Sequence, residues 1–393
     1  MRRLFYSLLV VFFSTASLHA QDVDVDVLVI EEESTPVTLS GSVDTYFRTN
    51  LNARNSGRNI PAPGTSFANL PGFSLGMVNL IAGYEGEKVG FVADLVFGPR
   101  GSDAVFASPY YNSGAGTANI INQLYTYWKV SDAVTLTLGN FNTFLGYEVI
   151  SPTANFNYST SYMFSYGPFS HTGLKADFAL SDEFSLMLAV MNPTDFTEFN
   201  PFAAYTLGFQ LGYATDAASI YLNALYGDQD GPLDLDDPDF ANISGGGTFQ
   251  IDLTAGFDLS ETLFLGLNTT INTTSPGEII QDNRILDLDG DGNGFYGVAG
   301  YLQVSPTETF GIGLRGEYFA EFNGGVGAIG ALDTEGDGSV FDLTLSSNIN
   351  VGGGLTLIPE FRIDIASEEP FQNIDLEAQN TLASFLLAAV YSF

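Results

Sequence analysis

The chain has 393 residues, no cysteine and a formal net charge of −34, with charged residues at 15% and aromatic residues at 13%. The acidic excess repels polyanions and argues against nucleic acid as a ligand, and the lack of cysteine excludes disulfides, thiolate metal sites and a lipid-modified cysteine. With 43 glycines, 19 tyrosines and no mature run of about 18 apolar residues, the chain is neither disordered nor a helical membrane protein.

Residues 1–20 open with Met1-Arg2-Arg3, continue as an apolar run over 4–13 and end in Ala20 before Gln21. This pattern predicts a cleaved export signal, too short to span a membrane as an anchor. Its removal takes away two arginines and no acid, so the mature chain is more acidic still. Residues 21–36 alternate Asp and Val before Glu31-Glu32-Glu33 and read as a solvated acidic periplasmic segment.

From Val37 a hairpin rhythm begins and continues to Phe393 without a linker. Short polar turns recur at Gly86-Glu87-Lys88, Ser131-Asp132-Ala133, Ser181-Asp182-Glu183, Thr215-Asp216-Ala217, Ser260-Glu261-Thr262, Ser305-Pro306-Thr307 and 350–354, most about 45 residues apart. One repeat of that size holds a strand, a long loop, a returning strand and a tight turn. The expectation for residues 37–393 is therefore an all-β, antiparallel transmembrane β-barrel of about 16 strands, with long external loops and short periplasmic turns.

The placement of charge sharpens this. Val37, Leu39, Val43 and Phe47 alternate with Asp44 and Arg48; Leu174 and Ala176 with Lys175 and Asp177; Ile251 and Leu253 with Asp252. Arg315 and Glu317 oppose Leu314 and Tyr318, Asp342 opposes Phe341 and Leu343, and Glu360, Arg362 and Asp364 oppose Phe361 and Ile363. A cationic side chain facing lipid at mid-depth costs about 2–4 kcal/mol, so one face meets lipid and the other a polar lumen. Asp94 joins the same pore-lining set. Arg315 with Glu317, and Arg362 with Glu360, are spaced for pairing across adjacent strands. Trp128, Tyr84, Tyr213, Tyr226, Tyr318 and Tyr391 are candidates for interfacial girdles. The final strand ends on Phe393 with Tyr391, Leu387 and Phe385 on one parity, the form of a strand that closes a barrel and is read by the barrel-assembly machinery.

Residues 139–178 read GNFNTFLGYEVISPTANFNYSTSYMFSYGPFSHTGLKADF. The Gly-Tyr-Glu at 146–148, Asn-Phe-Asn-Tyr-Ser at 155–159 and Pro-Phe-Ser-His-Thr-Gly at 168–173 resemble the signature of the OmpL-like outer-membrane β-barrel porins (porin-2 type). Thr160 stands where many members carry a basic residue, so the resemblance does not extend to a basic loop. It implies a Gram-negative outer-membrane porin, not an enzyme, that lets small polar solutes or ions diffuse passively. The residues themselves add that the 143–170 connection is aromatic and amide-rich where other long loops are acidic and glycine-rich. A solvated cap has no use for Phe156, Tyr162, Met163, Phe164 and Phe169, so the loop is expected to fold inward as a constriction carrying Glu148, Asn155, Asn157, Tyr158, Ser159 and Ser161, with His171 anchoring it.

His171 is the sole histidine after residue 20, which is too little for a Ser–His or Asp–His hydrolase. Asp287, Asp289, Asp291 and Asn293 match the first half of a calcium loop, but position twelve is Val298. No cofactor is expected beyond Ca2+ in these acidic external loops. The expected partners are outer-membrane lipid, small polar solutes or ions, and two further copies in a homo-trimer. The competing reading is a non-transport outer-membrane scaffold or adhesin whose acidic loops calcium bridges.

Overall fold

The computed structural model describes residues 37–106, 120–231, 233, 243–281 and 284–393. The export signal and acidic segment expected over 1–20 and 21–36 lie outside the described residues. Sixteen strands form one closed sheet: β1 Thr38–Asn50, β2 Gly72–Glu85, β3 Val89–Phe97, β4 Ile121–Ser131, β5 Val134–Asn142, β6 Ser170–Ala179, β7 Phe184–Met191 and β8 Thr206–Ala214. The ring continues with β9 Ala218–Gly227, β10 Thr248–Ser260, β11 Leu263–Thr274, β12 Asn293–Thr307, β13 Phe310–Phe322, β14 Gly338–Gly352, β15 Leu355–Ala366 and β16 Thr381–Ser392.

Every strand pairs antiparallel with its neighbours in chain order, and β1 closes on β16, from Ser42 opposite Ser392 to Asn50 opposite Ser384. Below the seam, Gly41 and Phe393 exchange backbone hydrogen bonds at 3.1 Å. Closure leaves no row of unpaired backbone groups to face hydrocarbon. The connections alternate as expected, tight turns at one end and long loops at the other. The turn between β14 and β15 shows why glycine is needed there: Gly352, Gly353 and Gly354 run in succession at φ +94°, +64° and +89°, which side chains with a Cβ rarely adopt. Among the described residues two short helices, α1 (Pro99–Ala104) and α2 (Tyr162–Tyr166), lie in long loops. The loops also hold two small sheets, one pairing 243–244 and 284–287 with 278–281, the other 371–372 with 378–379.

The alternation of the sequence becomes the two faces of the wall. Leu314, Tyr318, Phe341, Leu343, Phe361, Ile363 and Leu387 point outward and are exposed, while Asp44, Arg48, Asp252, Arg315, Glu317, Asp342, Glu360, Arg362 and Asp364 point inward and are buried. Trp128, Tyr226, Tyr318 and Tyr391 stand on the exposed side. The interior departs from the expected polar lumen in one sector. On β16 the inward residues Leu386, Ala388 and Val390 are apolar, and with Ile358 and Tyr46 they pack against Ala68 and Tyr158 from the loops between β1 and β2 and between β5 and β6. A second dry cluster joins Phe295, Ala299, Tyr301 and Phe319 of the wall to Tyr162 and Met163. Apolar residues are stable on the inner face here because a loop, not water, covers them.

Candidate functional site

The loop 143–169 leaves β5 and returns into β6, yet its central part lies on β13, β14 and β15, across a sixteen-strand ring from where it starts. It crosses the lumen. On the far wall its backbone is bonded to two glutamates. Glu360 accepts from Tyr158 N at 2.8 Å and Ser159 N at 3.2 Å, and Glu317 accepts from Tyr162 N at 2.7 Å and Met163 N at 2.8 Å. The second pair is the free N–H end of α2, whose remaining donor is capped when Ser161 Oγ accepts from Phe164 N at 3.1 Å. Side chains extend the attachment: Tyr158 Oη donates to Asp44 at 2.5 Å, and Asn157 Nδ2 donates to Ser346 Oγ at 2.7 Å.

Two arginines from the wall satisfy the carbonyls of the same segment. Arg315 donates to Ser159 O at 2.7 Å and Thr160 O at 3.3 Å, and Arg362 donates to Thr160 O at 2.8 Å. Their charges are met by Glu148 (2.7 Å to Arg315), Asp342 (3.0 Å to Arg315, 2.7 Å to Arg362) and Asp364 (2.7 Å to Arg362). The pairing therefore differs from the sequence expectation. Arg315 does not pair with Glu317, nor Arg362 with Glu360, because both glutamates are spent on loop N–H groups while Asp342 bridges the two arginines. Arg315, Glu317 and Asp342 are fully covered, so each buried charge needs these partners. The basic groups that the loop lacks at Thr160 come from the wall and reach the carbonyl of Thr160 itself.

The family model described as "Putative beta-barrel porin-2, OmpL-like" matches residues 36–393. The chain belongs to this family. It is an outer-membrane β-barrel porin, and comparison with curated protein sequences finds no match. Among solved structures, this porin is similar to the anion-selective porin from Comamonas acidovorans (TM-score 0.56, 10% identity, covering 91% of this chain and 99% of that one). It is also similar to the outer-membrane channel DcaP of Acinetobacter baumannii (0.55, 14%, 92% and 99%) and to the trimer form of Vibrio cholerae OmpT (0.53, 8%, 92% and 100%). At these identities the likeness is one of fold.

The remaining singled-out residues of the porin fall into distinct settings. Asp94 is enclosed by amides, accepting from Asn79, from Asn122 at 2.7 Å and from Gln123 at 3.0 Å. Asp252 accepts from Asn223, Asn268 and Gly146 N, the last tying the start of the loop to β10. Arg48 donates to Asn50 at 2.9 Å and is covered by the loop that follows β1. Lys175 and Asp177 pair at 3.2 Å with side chains 27% and 41% exposed, so they face water where the arginine network does not. Asn155 exchanges hydrogen bonds with the backbone of Val149 and shapes the loop from within. His171 Nε2 bonds Thr143 Oγ1 at 3.0 Å, joining the two ends of the loop. In the loop after β11, Asp287, Asp289 and Asp291 are exposed and Asn293 donates to Gly325 O at 2.8 Å; among the described residues no three acidic or histidine side chains converge on a metal-sized site.

Sequence reasoning missed two members of the site. Arg100 of α1 is buried, donating to Ile150 O at 2.9 Å and Tyr158 O at 3.2 Å, with its guanidinium 4.4 Å from the Phe67 ring centre. Its one sequence signal is weak: it is the lone basic residue in its loop, in a chain with 12 basic against 46 acidic residues. Asp195, in the loop after β7, accepts from Phe169 N at 2.7 Å and Ser170 N at 2.9 Å, gripping the point where the inward loop rejoins the wall. Withdrawal of its carboxyl from water raises its pKa to about 6 against the pull of those two donors.

Proposed function

We propose that this porin passes small polar solutes or ions by passive diffusion, through a lumen narrowed by the loop 143–169. The observation that carries the reading is the backbone of 158–163 bonded across the lumen to Glu360 and Glu317. A segment held at both roots and at its middle divides the interior unequally: it packs against the β13–β16 sector, and the passage runs beside the opposite wall past Lys175 and Asp177. The solvated polar face there supplies the field that a diffusing ion meets. Export by residues 1–20, recognition of the strand ending in Phe393 by the assembly machinery, and a homo-trimer like the form recorded for Vibrio cholerae OmpT belong to the same reading.

Deletion of residues 155–164 tests it in planar bilayers. Single-channel conductance is expected to rise because the loop no longer occupies the lumen. Unchanged conductance from a correctly folded barrel rejects the constriction. Absence of any conductance in the parent protein rejects the channel itself and favours a scaffold.

A further inference from the structure

Beneath the loop, on the side of the tight turns, lies a cavity of about 490 Å3 that shares only Glu148 and Asn157 with the attachment described above. Its depth follows from register: Phe264 is the second residue of β11, it pairs with Gln303 of β12, and Asn348 pairs with Gly311 near the start of β13. The size falls within the roughly 300–1,000 Å3 of small-molecule sites.

The aromatic walls are seated on glycines. The Phe156 ring lies over Gly311 and Gly313, where a Cβ on Gly313 would collide with it, and Tyr147 lies over Gly266, where a Cβ would stand 2.5 Å from its hydroxyl. Tyr147 also stacks on the buried Tyr301 with ring centres 4.1 Å apart. These three rings are fixed surfaces, and Phe264 adds a fourth.

The polar lining is uncharged in effect. Glu148 is its one ionisable carboxylate, and both oxygens are engaged, one by Arg315 and the other by Ser161 N at 2.7 Å. An anion finds no free cation there and a cation finds no free carboxylate. What remains are amides. Asn348 donates to Phe156 O at 3.2 Å, while its buried Oδ1 has no partner among the described residues; Gln303, hydrogen-bonded to Tyr147, is also on the lining. A buried acceptor left open favours a ligand that brings a hydroxyl donor. Flat rings combined with amides suit a molecule with an apolar C–H face and a rim of hydroxyls.

We propose that this cavity is a binding subsite for neutral saccharides on the periplasmic side of the constriction. The inference deepens the diffusion reading and rests on it, since the solute must be able to reach the cavity through the lumen.

Calorimetry on the detergent-folded full chain, with maltose and succinate as probes, is combined with bilayer recording in which each probe is added to one side at a time. Maltose is expected to bind at millimolar concentration and to reduce the current saturably, more from one side than from the other, with succinate doing neither. Asn348→Ala and Phe264→Ala are each expected to weaken maltose binding about tenfold, the scale of one lost hydrogen bond or ring contact. Should Asn348→Ala fail to fold, Gln303→Ala at the half-buried rim takes its place. Conductance without maltose heat, variants that bind as the parent does, or tighter binding of succinate would each overturn the subsite. Maltose heat without conductance would instead overturn the diffusion reading, because calorimetry does not depend on a current.

Discussion

Replacing Glu360 by alanine tests the attachment of the loop most directly. The carboxylate accepts from Tyr158 N, Ser159 N and Ser346 Oγ, the last at 2.7 Å, and all three donors are buried. A buried donor stripped of its acceptor costs about 1–3 kcal/mol. At the low end, three donors amount to about 3 kcal/mol, which multiplies the ratio of detached to attached loop by about 150. The barrel wall keeps its backbone pairing, so heat-modifiable migration on gels should still report a folded protein. In single-channel recordings Glu360→Ala is expected to spend far more time in a larger-conductance level than the parent, with Glu360→Gln, which keeps one acceptor oxygen, in between. A folded Glu360→Ala barrel whose occupancy of conductance levels matches the parent would refute the claim that this carboxylate holds the loop in the lumen.

Three further outcomes follow from the structure. Gly313→Ala drives a methyl group into Phe156 and is expected to cost about 1–3 kcal/mol in urea unfolding, whereas Gly300→Ala, with no atom within 4 Å of the added Cβ, should leave the midpoint unchanged. Asp195 has a folded pKa of about 6, above its ordinary value of 3.8, so the native state binds more protons than the unfolded state between those values. Its contribution therefore improves as pH falls from 7 towards 4 and worsens as pH rises through 6; the stability difference between parent and Asp195→Asn, measured by urea unfolding across that range, should move in that direction and is flat if the carboxyl titrates normally. Phe393→Ala is expected to lower the yield of folded barrel in the outer membrane of cells while leaving refolding into detergent intact. Equal yields in cells would remove the terminal aromatic from the assembly signal.

Much of the wall was legible because hydrocarbon and water sort charge residue by residue. Arg315 and Glu317 could not share a parity with Leu314 without a large cost, and this sorting alone gives the inward set on β13, β14 and β15. Tyr158, Tyr162 and Phe164, which have no place in solvent, were the ground for expecting the 143–170 loop to fold inward, and all three side chains are buried. The partners of the inward charges were not. A parity argument places Glu317 and Arg315 on one face and finds them two residues apart, but it does not contain the loop backbone that competes for the glutamate. For the same reason parity does not account for the apolar inner face of β16 at Leu386, Ala388 and Val390: its cover lies more than 200 residues earlier in the chain, at Tyr158. Arg100 stayed hidden because a single basic residue in a long loop is normally solvated, and its burial depends on Phe67 and Tyr158 arriving from two other loops.

The two glutamates that moor the loop recognise main-chain amides and not side chains. Any residue with an N–H would serve at 158, 159, 162 and 163 as far as Glu360 and Glu317 are concerned. The fastening itself therefore depends on two acidic positions more than 150 residues downstream, and the buried side chains of Tyr158, Tyr162 and Met163 add packing to it without being what the glutamates read.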